Sequence, residues 1–303
     1  MDRQPVVSVI VATYCSEETI IDTLDSIYNQ TYPSIELIVT DDCSKDRTCE
    51  KVSIWISEHK ERFINCSLIL SECNTGVSAN FNRGLEVAKG EWIKPFGGDD
   101  MLFPDYLVKA IDSGNNVDMV LTQLYLFKND KEIVDKGNDL SFINKCSSEK
   151  ISKYYARIHP FFNVPTIIVR RNVYDKIGYY DERSPYFEDV PFLMSFFNVG
   201  LKAHFLDEIL VWYRVGGVSH QNDFERAFSG NKKLVDVCNV FIYNHLKWYN
   251  FIDLLVLIDQ NIWKFTIHRK YYFLYKVYFS RYNMLRRFNK WISQKALYIR
   301  KIA

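Results

Sequence analysis

No aspartate or glutamate follows Asp259, so all 37 acidic residues of this 303-residue chain fall at or before that position. Residues 260–303 carry eleven Lys or Arg, and the first 259 hold 27 basic against 37 acidic. The near-neutral total therefore hides an acidic body and a basic tail, a division that suits contact of the tail with an anionic surface. The seven cysteines form no CxxC pair. That excludes a legible zinc site or disulfide framework and reads as reduced thiols in a cytosol. No apolar run approaches the ~20 residues that span a bilayer. Val6–Ala12 is too short for a signal peptide and is followed by no cleavage region. There is no GxGxxG after the first apolar run and no GxxxxGK[ST] anywhere, so neither a dinucleotide fingerprint nor a Walker loop is present. Internal repeats and low-complexity linkers are absent as well.

What is present is a strand–helix rhythm. Residues 6–12 (VVSVIVA) are continuously apolar and β-branched, as in a strand buried on both faces. Ser16 is placed to cap a helix whose apolar positions Ile20, Leu24, Ile27 and Tyr28 share one face. Further strands are expected at 35–40, 67–70 and 91–96, with helices over 47–59 and 77–88. This alternation predicts a doubly wound α/β sheet. From about 117 the rhythm changes, with strands at 119–127, 166–170, 203–206 and 209–214, a helix near 190–199, and mixed strand directions. The stretch 1–220 reads as one domain. Residues 221–303 read as a helical extension rich in aromatics.

In an open α/β sheet, ligands bind beyond the carboxyl ends of the strands. Two acidic pairs fall at such ends, Asp41-Asp42 and Asp99-Asp100, and turn residues after each predict that both are exposed. One such pair alone reads as turn-forming Asp; two at the same edge read as a site. Carboxylates repel phosphate unless a divalent cation lies between them, so Mg2+ or Mn2+ is the expected bridge to a diphosphate. Gly97-Gly98 allows backbone and ligand to approach closely there.

The stretches VSVIVATYCSEETIIDTLDSIYNQTYPSIELIVTDDCSKDRT, NTGVSANFNRGLEVAKGEWIKPFGGDD, PYFEDVPF and WYRVGGVSH together resemble family 2 glycosyltransferases of GT-A fold, over roughly residues 6–220. The resemblance extends to enzymes of bacterial O-antigen and capsule synthesis. It implies a GT-A, Rossmann-like mixed sheet and inverting transfer of a hexose (glucose, galactose or N-acetylhexosamine) from a UDP-sugar. It also implies donor contacts at Ala12, Thr13, Tyr14, Glu17, Asp42, Asn74, Gly76, Asp99 and Arg214, with Asp42 on the base and Arg214 closing on the diphosphate. Metal ligation falls to Asp100, with Asp99; His220 reads equally as a second metal ligand closing over the donor or as a surface loop histidine. Asp189 is the implied catalytic base, with Glu188 beside it at the acceptor. Cys15 departs from the family's usual Asn. Phe81 stands where an Arg often precedes Asn82, which weakens any phosphate contact through Arg from that helix.

The chemistry supports these roles independently: inversion needs a base on the acceptor hydroxyl and stabilisation of the departing diphosphate. Taken alone, Glu188-Asp189 would read as acids complementing a helix dipole. Two rivals are a sugar-phosphate nucleotidyltransferase and an inactive nucleotide-sugar-binding module. The first would show a basic, Gly-rich loop where TYCSEET stands, and retention of Asp42, Asp99, Asp100 and Asp189 argues against the second. In the tail, twelve aromatics from Trp263 to Tyr298 interleave with the basic residues. Such a stretch could stack on nucleic acid, lie on an anionic bilayer, or pack on the body. The lack of acids favours the bilayer and the family context disfavours nucleic acid. The expectation is peripheral attachment to the cytoplasmic membrane's inner face and a lipid-linked glycan acceptor.

Overall fold

The computed structural model describes residues 4–128, 131–158, 162–184, 187–215, 246–266, 288, 291, 292 and 295. His220 and most of the aromatic-basic stretch lie outside these residues.

Every residue of β1 (Val7–Thr13) and of β2 (Ile35–Asp41) is buried, in keeping with their mostly apolar runs, and the buried Glu36 accepts the Ser8 hydroxyl and the Lys89 N–H. β1 pairs in parallel with β2 and with β4 (Trp92–Gly97), and β2 in parallel with β3 (Asn65–Leu70). Beyond β4 the sheet turns mixed. β8 (Ile168–Arg170) runs antiparallel to β4 and to β6 (Met119–Phe127), and β9 (Ala203–Arg214) runs parallel to β6. β5 (Met101–Leu102) and β7 (Ile133–Lys136) add antiparallel edges to β9 and β6. The strand order is β3-β2-β1-β4-β8-β6-β9-β5. Pro95 is tolerated inside β4 because pairing with β8 covers only Trp92 and Ile93.

α1 (Ile20–Tyr28) buries Ile20, Leu24 and Ile27, three positions on one face. α2 (Thr48–His59) buries Val52 and Trp55, and α3 (Val77–Val87) buries Phe81 and Leu85. α4 (Tyr106–Asp112), α5 (Ser148–Ile158), α6 (Asn172–Ile177), α7 (Asp189–Asn198) and α8 (Phe251–Thr266) complete the helices described. None of the described helices is long and apolar enough to cross a membrane.

Three local expectations are corrected. Ser16 does not cap α1 with its side chain; its backbone carbonyl accepts the Thr19 and Ile20 N–H groups in a turn that begins the helix. The two strands expected at 203–206 and 209–214 are one strand, β9, kept continuous by register shifts opposite Thr122–Leu124. The acidic pairs are not exposed: Asp41, Asp42 and Asp100 are 1%, 3% and 3% accessible, because loops distant in sequence close over the strand ends.

The chain forms two compact units. One comprises Met1–Asn144, Phe161–Phe192 and Leu201–His220, the other Lys145–Pro160, Leu193–Gly200 and Gln221–Ala303. The second unit thus takes two segments from the stretch the sequence assigns to a single domain.

Lys94 on β4 is fully buried. Its Nζ donates to the carbonyls of Pro95 (3.0 Å) and Pro165 (2.6 Å) and faces the rings of Phe96 and Tyr106. Burial pushes the amine down to about 7, against the pull of Asp100. Between that value and the unfolded value of ~10.4, the unfolded chain binds a proton that the folded chain does not. Stability therefore rises with pH through that window. From pH 7 to 9 the gain is about 2 kcal/mol at most, because the carbonyls and rings partly solvate the ammonium. Urea midpoints at pH 7, 8 and 9 should climb in the wild type relative to Lys94→Met, and parallel pH curves would refute the assignment.

Candidate active site

In the order β3-β2-β1-β4, successive connections run outward from β1 to β3 and then return across it to β4. The crevice between the carboxyl ends of β1 and β4 is the switch point where such sheets bind ligands. Ala12, Thr13 and Tyr14 leave β1 there, and Gly97-Gly98-Asp99-Asp100 leave β4 beside them, with the Gly98 N–H donating to the Ala12 carbonyl. Tyr14 is half exposed. Among the described residues, two buried side-chain polar atoms lack a hydrogen-bond partner: Thr13 Oγ1 and Arg83 Nε. Both lie at this edge of the sheet, and orphaned buried polar atoms call for a missing partner.

Asp42 ends β2 and its N–H donates to the Thr13 carbonyl. Its carboxylate accepts the Thr75 N–H (3.0 and 2.9 Å), the Thr75 hydroxyl (2.8 Å), the Gly76 N–H (2.8 Å) and Arg83 Nη2 (2.7 Å). Burial alone would raise this carboxyl, but Arg83 and the Thr75 and Gly76 donors outweigh it and hold it below the usual range. The bonds require the backbone to turn sharply into α3, and Gly76 does so at φ 92°, a region that favours glycine. Neighbouring Asp41 is spent on the turn itself, accepting the Ser44 N–H and hydroxyl.

Asp99 and Asp100 are both pushed up by burial, Asp100 far up and further raised by the charge of Asp99. Arg214, at the end of β9, faces the pair: its N–H donates to Asp100 Oδ1 (2.9 Å) and its Nε to the Asp99 carbonyl (2.9 Å). Its Nη2 reaches Asp22 on α1 at 3.1 Å, and its guanidinium lies over Phe127. A side chain at Gly97 would stand 2.8 Å from Asp99 Oδ1, so glycine keeps the approach to the carboxylates open. Two adjacent carboxylates with that approach fit a hard divalent cation whose remaining ligands come from diphosphate and water. No cluster of three or more His, Cys, Asp or Glu that could hold a metal occurs among the described residues, and His220 lies outside them.

Glu188 and Asp189 open α7. Burial raises both carboxyls, and the Asp189 charge raises Glu188 further, while backbone N–H groups at the helix start pull both back. The two titrate as a coupled pair. The segment before them is fastened to α3. Ser78 Oγ donates to the Ser184 carbonyl (2.6 Å), Asn82 Nδ2 to the Tyr180 carbonyl (2.9 Å), and Ser184 Oγ to the Phe187 carbonyl (2.8 Å). These bonds hold the backbone at Tyr180 and Ser184, shortly before the acid pair, against α3, whose head binds Asp42.

Glu17 and Asn74 are placed differently from the rest. Glu17 Oε2 accepts the Arg47 N–H just before α2, and Asn74 lies exposed in the loop ahead of Gly76. Sequence reading missed Arg83. Phe81 is buried against Tyr180, whereas Arg83 turns to Asp42, Thr75 and Asn80. The available signal was its spacing, seven residues after Gly76, which returns it to the same face of α3 after two turns. Asp22, which tethers Arg214, gave no signal at all.

The family model described as Glycosyl transferase family 2 matches residues 8–178. An uncharacterized glycosyltransferase of Methanocaldococcus jannaschii is 26% identical over 221 residues, covering 71% of this chain and 72% of the relative. The amylovoran biosynthesis glycosyltransferase AmsB of Erwinia amylovora is 24% identical, covering 69% of each. Among solved structures, S. aureus TarS 1-349 in complex with UDP-GlcNAc superposes with a TM-score of 0.60 at 19% identity, covering 96% of this chain and 80% of that one. The mannosyltransferase PcManGT of Pyrobaculum calidifontis, in complex with GDP-Man and Mn2+, gives 0.59 at 18%, covering 96% and 88%. These likenesses establish the fold as that of GT-A glycosyltransferases.

Proposed function

The chain belongs to glycosyl transferase family 2, and from that membership and the geometry of its site we propose that it is a metal-dependent inverting hexosyltransferase. The observation that carries this is the meeting, at one sheet edge, of Asp99-Asp100, the base-side carboxylate Asp42 and the only two orphaned polar atoms among the described residues. The donor is a UDP-sugar carrying glucose, galactose or an N-acetylhexosamine; the UDP and UDP-GlcNAc complexes of TarS support this class. Asp42 and Arg83 would meet the base, Ala12, Thr13 and Tyr14 the nucleoside, and Arg214 the diphosphate. Asp189 accepts the proton of an acceptor hydroxyl as its oxygen bonds to the anomeric carbon, and the bond from that carbon to the diphosphate breaks. Mn2+ or Mg2+ held through Asp100 and Asp99, with His220 as a candidate third ligand, would supply Lewis-acid stabilisation of the departing diphosphate. An α-linked donor then gives a β-glycoside.

The aromatic-basic sequence after Asp259 supports attachment to the cytoplasmic face of a bacterial membrane and a lipid-linked glycan acceptor, as in surface-polysaccharide synthesis. The amylovoran-forming relative is in keeping with that setting.

The test is release of UDP from UDP-glucose, UDP-galactose and UDP-N-acetylglucosamine with a membrane lipid extract as acceptor source. One donor should release UDP with Mn2+, stop in excess EDTA, and resume when Mn2+ is restored. Undiminished turnover in EDTA would remove the metal from the proposal, and no release from any nucleotide sugar would remove the transferase reading.

A further inference from the structure

α8 has apolar residues on two opposite sides. Val256 is buried, as is Asp253, whose carboxylate accepts the Lys247 N–H. Phe251, Leu254 and Ile258 recur at intervals of three and four and so share the other side, where they are 65%, 39% and 44% exposed. Immediately before the helix, Trp248 and Tyr249 are 74% and 68% exposed and pack edge-to-face on each other. Scattered exposed apolar side chains are ordinary, but five within eleven residues, two of them the most exposed large hydrophobics among the described residues, form a patch that asks for a partner. The residue types indicate which. Trp and Tyr favour the headgroup level of a bilayer, while Phe, Leu and Ile favour the acyl boundary below it. Charge complementarity selects the lipid: residues 260–303, which continue this segment, hold eleven basic and no acidic side chains.

We infer that the exposed face of α8, with Trp248 and Tyr249 before it, is the surface by which this chain lies in the interface of an anionic bilayer. This rests on the membrane attachment proposed above and specifies the residues that make it. Binding then has two separable parts. The basic residues contribute attraction that salt screens, and the five apolar side chains contribute insertion that salt does not weaken.

The experiment is flotation of the full-length protein with vesicles of phosphatidylcholine containing phosphatidylglycerol, at low and high salt. It compares wild type with the triple variant Phe251→Ser, Leu254→Ser, Ile258→Ser and with Trp248→Ser. Circular dichroism and UDP release verify that the variants are folded. Wild type should bind at low salt and stay partly bound at high salt. The triple variant should bind at low salt through its basic residues and release at high salt, with partitioning at least about tenfold weaker. Trp248→Ser should fall between the two. If wild type binds and the variants keep its salt-resistant fraction, the surface lies elsewhere and this inference is wrong while membrane attachment stands. If wild type ignores the vesicles at low salt, attachment itself fails. If wild type is a dimer in solution and the triple variant a monomer, the face is an interface between copies, which equally overturns the inference.

Discussion

Asp189→Asn is expected to lower kcat by about 10²–10⁴ while leaving nucleotide-sugar affinity unchanged. The substitution is nearly isosteric, so the start of α7 keeps its shape, but an amide cannot accept the acceptor's proton. Glu188 is the control. Burial and the Asp189 charge favour its protonated form, so Glu188→Gln resembles the state it already holds and should change kcat by less than about tenfold. A pH profile adds a second reading. The base works ionised, and burial raises its carboxyl. The acid limb of kcat should therefore lie above the ordinary aspartate value of ~3.9, with activity lost as pH falls through the raised midpoint. Because the two carboxyls interact, that midpoint belongs to the pair. Steady-state kinetics on both variants decide the matter. If Glu188→Gln suffers the large loss and Asp189→Asn does not, the roles are exchanged.

Asp100→Asn should behave in an opposite way on two axes, losing turnover by at least about 10²-fold while the metal-free protein becomes harder to unfold. Burial and then the Asp99 charge raise the Asp100 carboxyl well above its usual range. A folded value above the unfolded one means that the ionised group opposes folding at neutral pH. Stability grows as pH falls from the raised value toward the ordinary ~3.9 and is lowest once pH exceeds the raised value. The amide removes that opposition and keeps an oxygen for the Arg214 N–H, which bonds Asp100 Oδ1. Gains from relieving such a site are on the order of 1 kcal/mol. Thermal melts in EDTA at pH 7 should place Asp100→Asn above wild type. Added Mn2+ should raise the wild-type Tm and leave the variant unmoved, since a ligand stabilises only the state that binds it. A variant that melts below wild type in EDTA would show that the buried charge is compensated within the protein, and retained turnover would show that Asp100 does not serve the reaction.

Both experiments address acids that were visible as letters, yet their states were not. Apolar patterning in 6–12 and 35–40 was enough to place β1 and β2, because a strand enclosed on both faces is apolar along most of its length. The same local logic put two acidic pairs at strand ends and an acid pair at the head of α7, and the joint match of four segments tied them to one family. Local sequence also misled. Turn residues after Asp41-Asp42 and Asp99-Asp100 suggested exposure, but Thr75, Gly76 and Arg83 close over the first pair and Arg214 over the second. Those partners are 33 to 115 residues away in sequence.

The amino-acid sequence by itself determined the strands and helices from β1 to β4, the charge division between body and tail, and which side chains can do acid, base and metal chemistry. These follow from periodicity and composition, which act over a few neighbours. Tertiary structure alone decided which of those side chains share one edge, and that Asp41 serves the turn after β2. Asp41 holds a turn, while Asp42 is pinned by five hydrogen bonds to Thr75, Gly76 and Arg83. Only the fold could show Arg83 taking up a place beside Asp42 while Phe81 turned into the core, or Asp22 holding Arg214 over Asp99. The reason is physical: a carboxyl's protonation state and reach are set by desolvation and by charges brought within a few ångströms, and chain neighbours supply few of either.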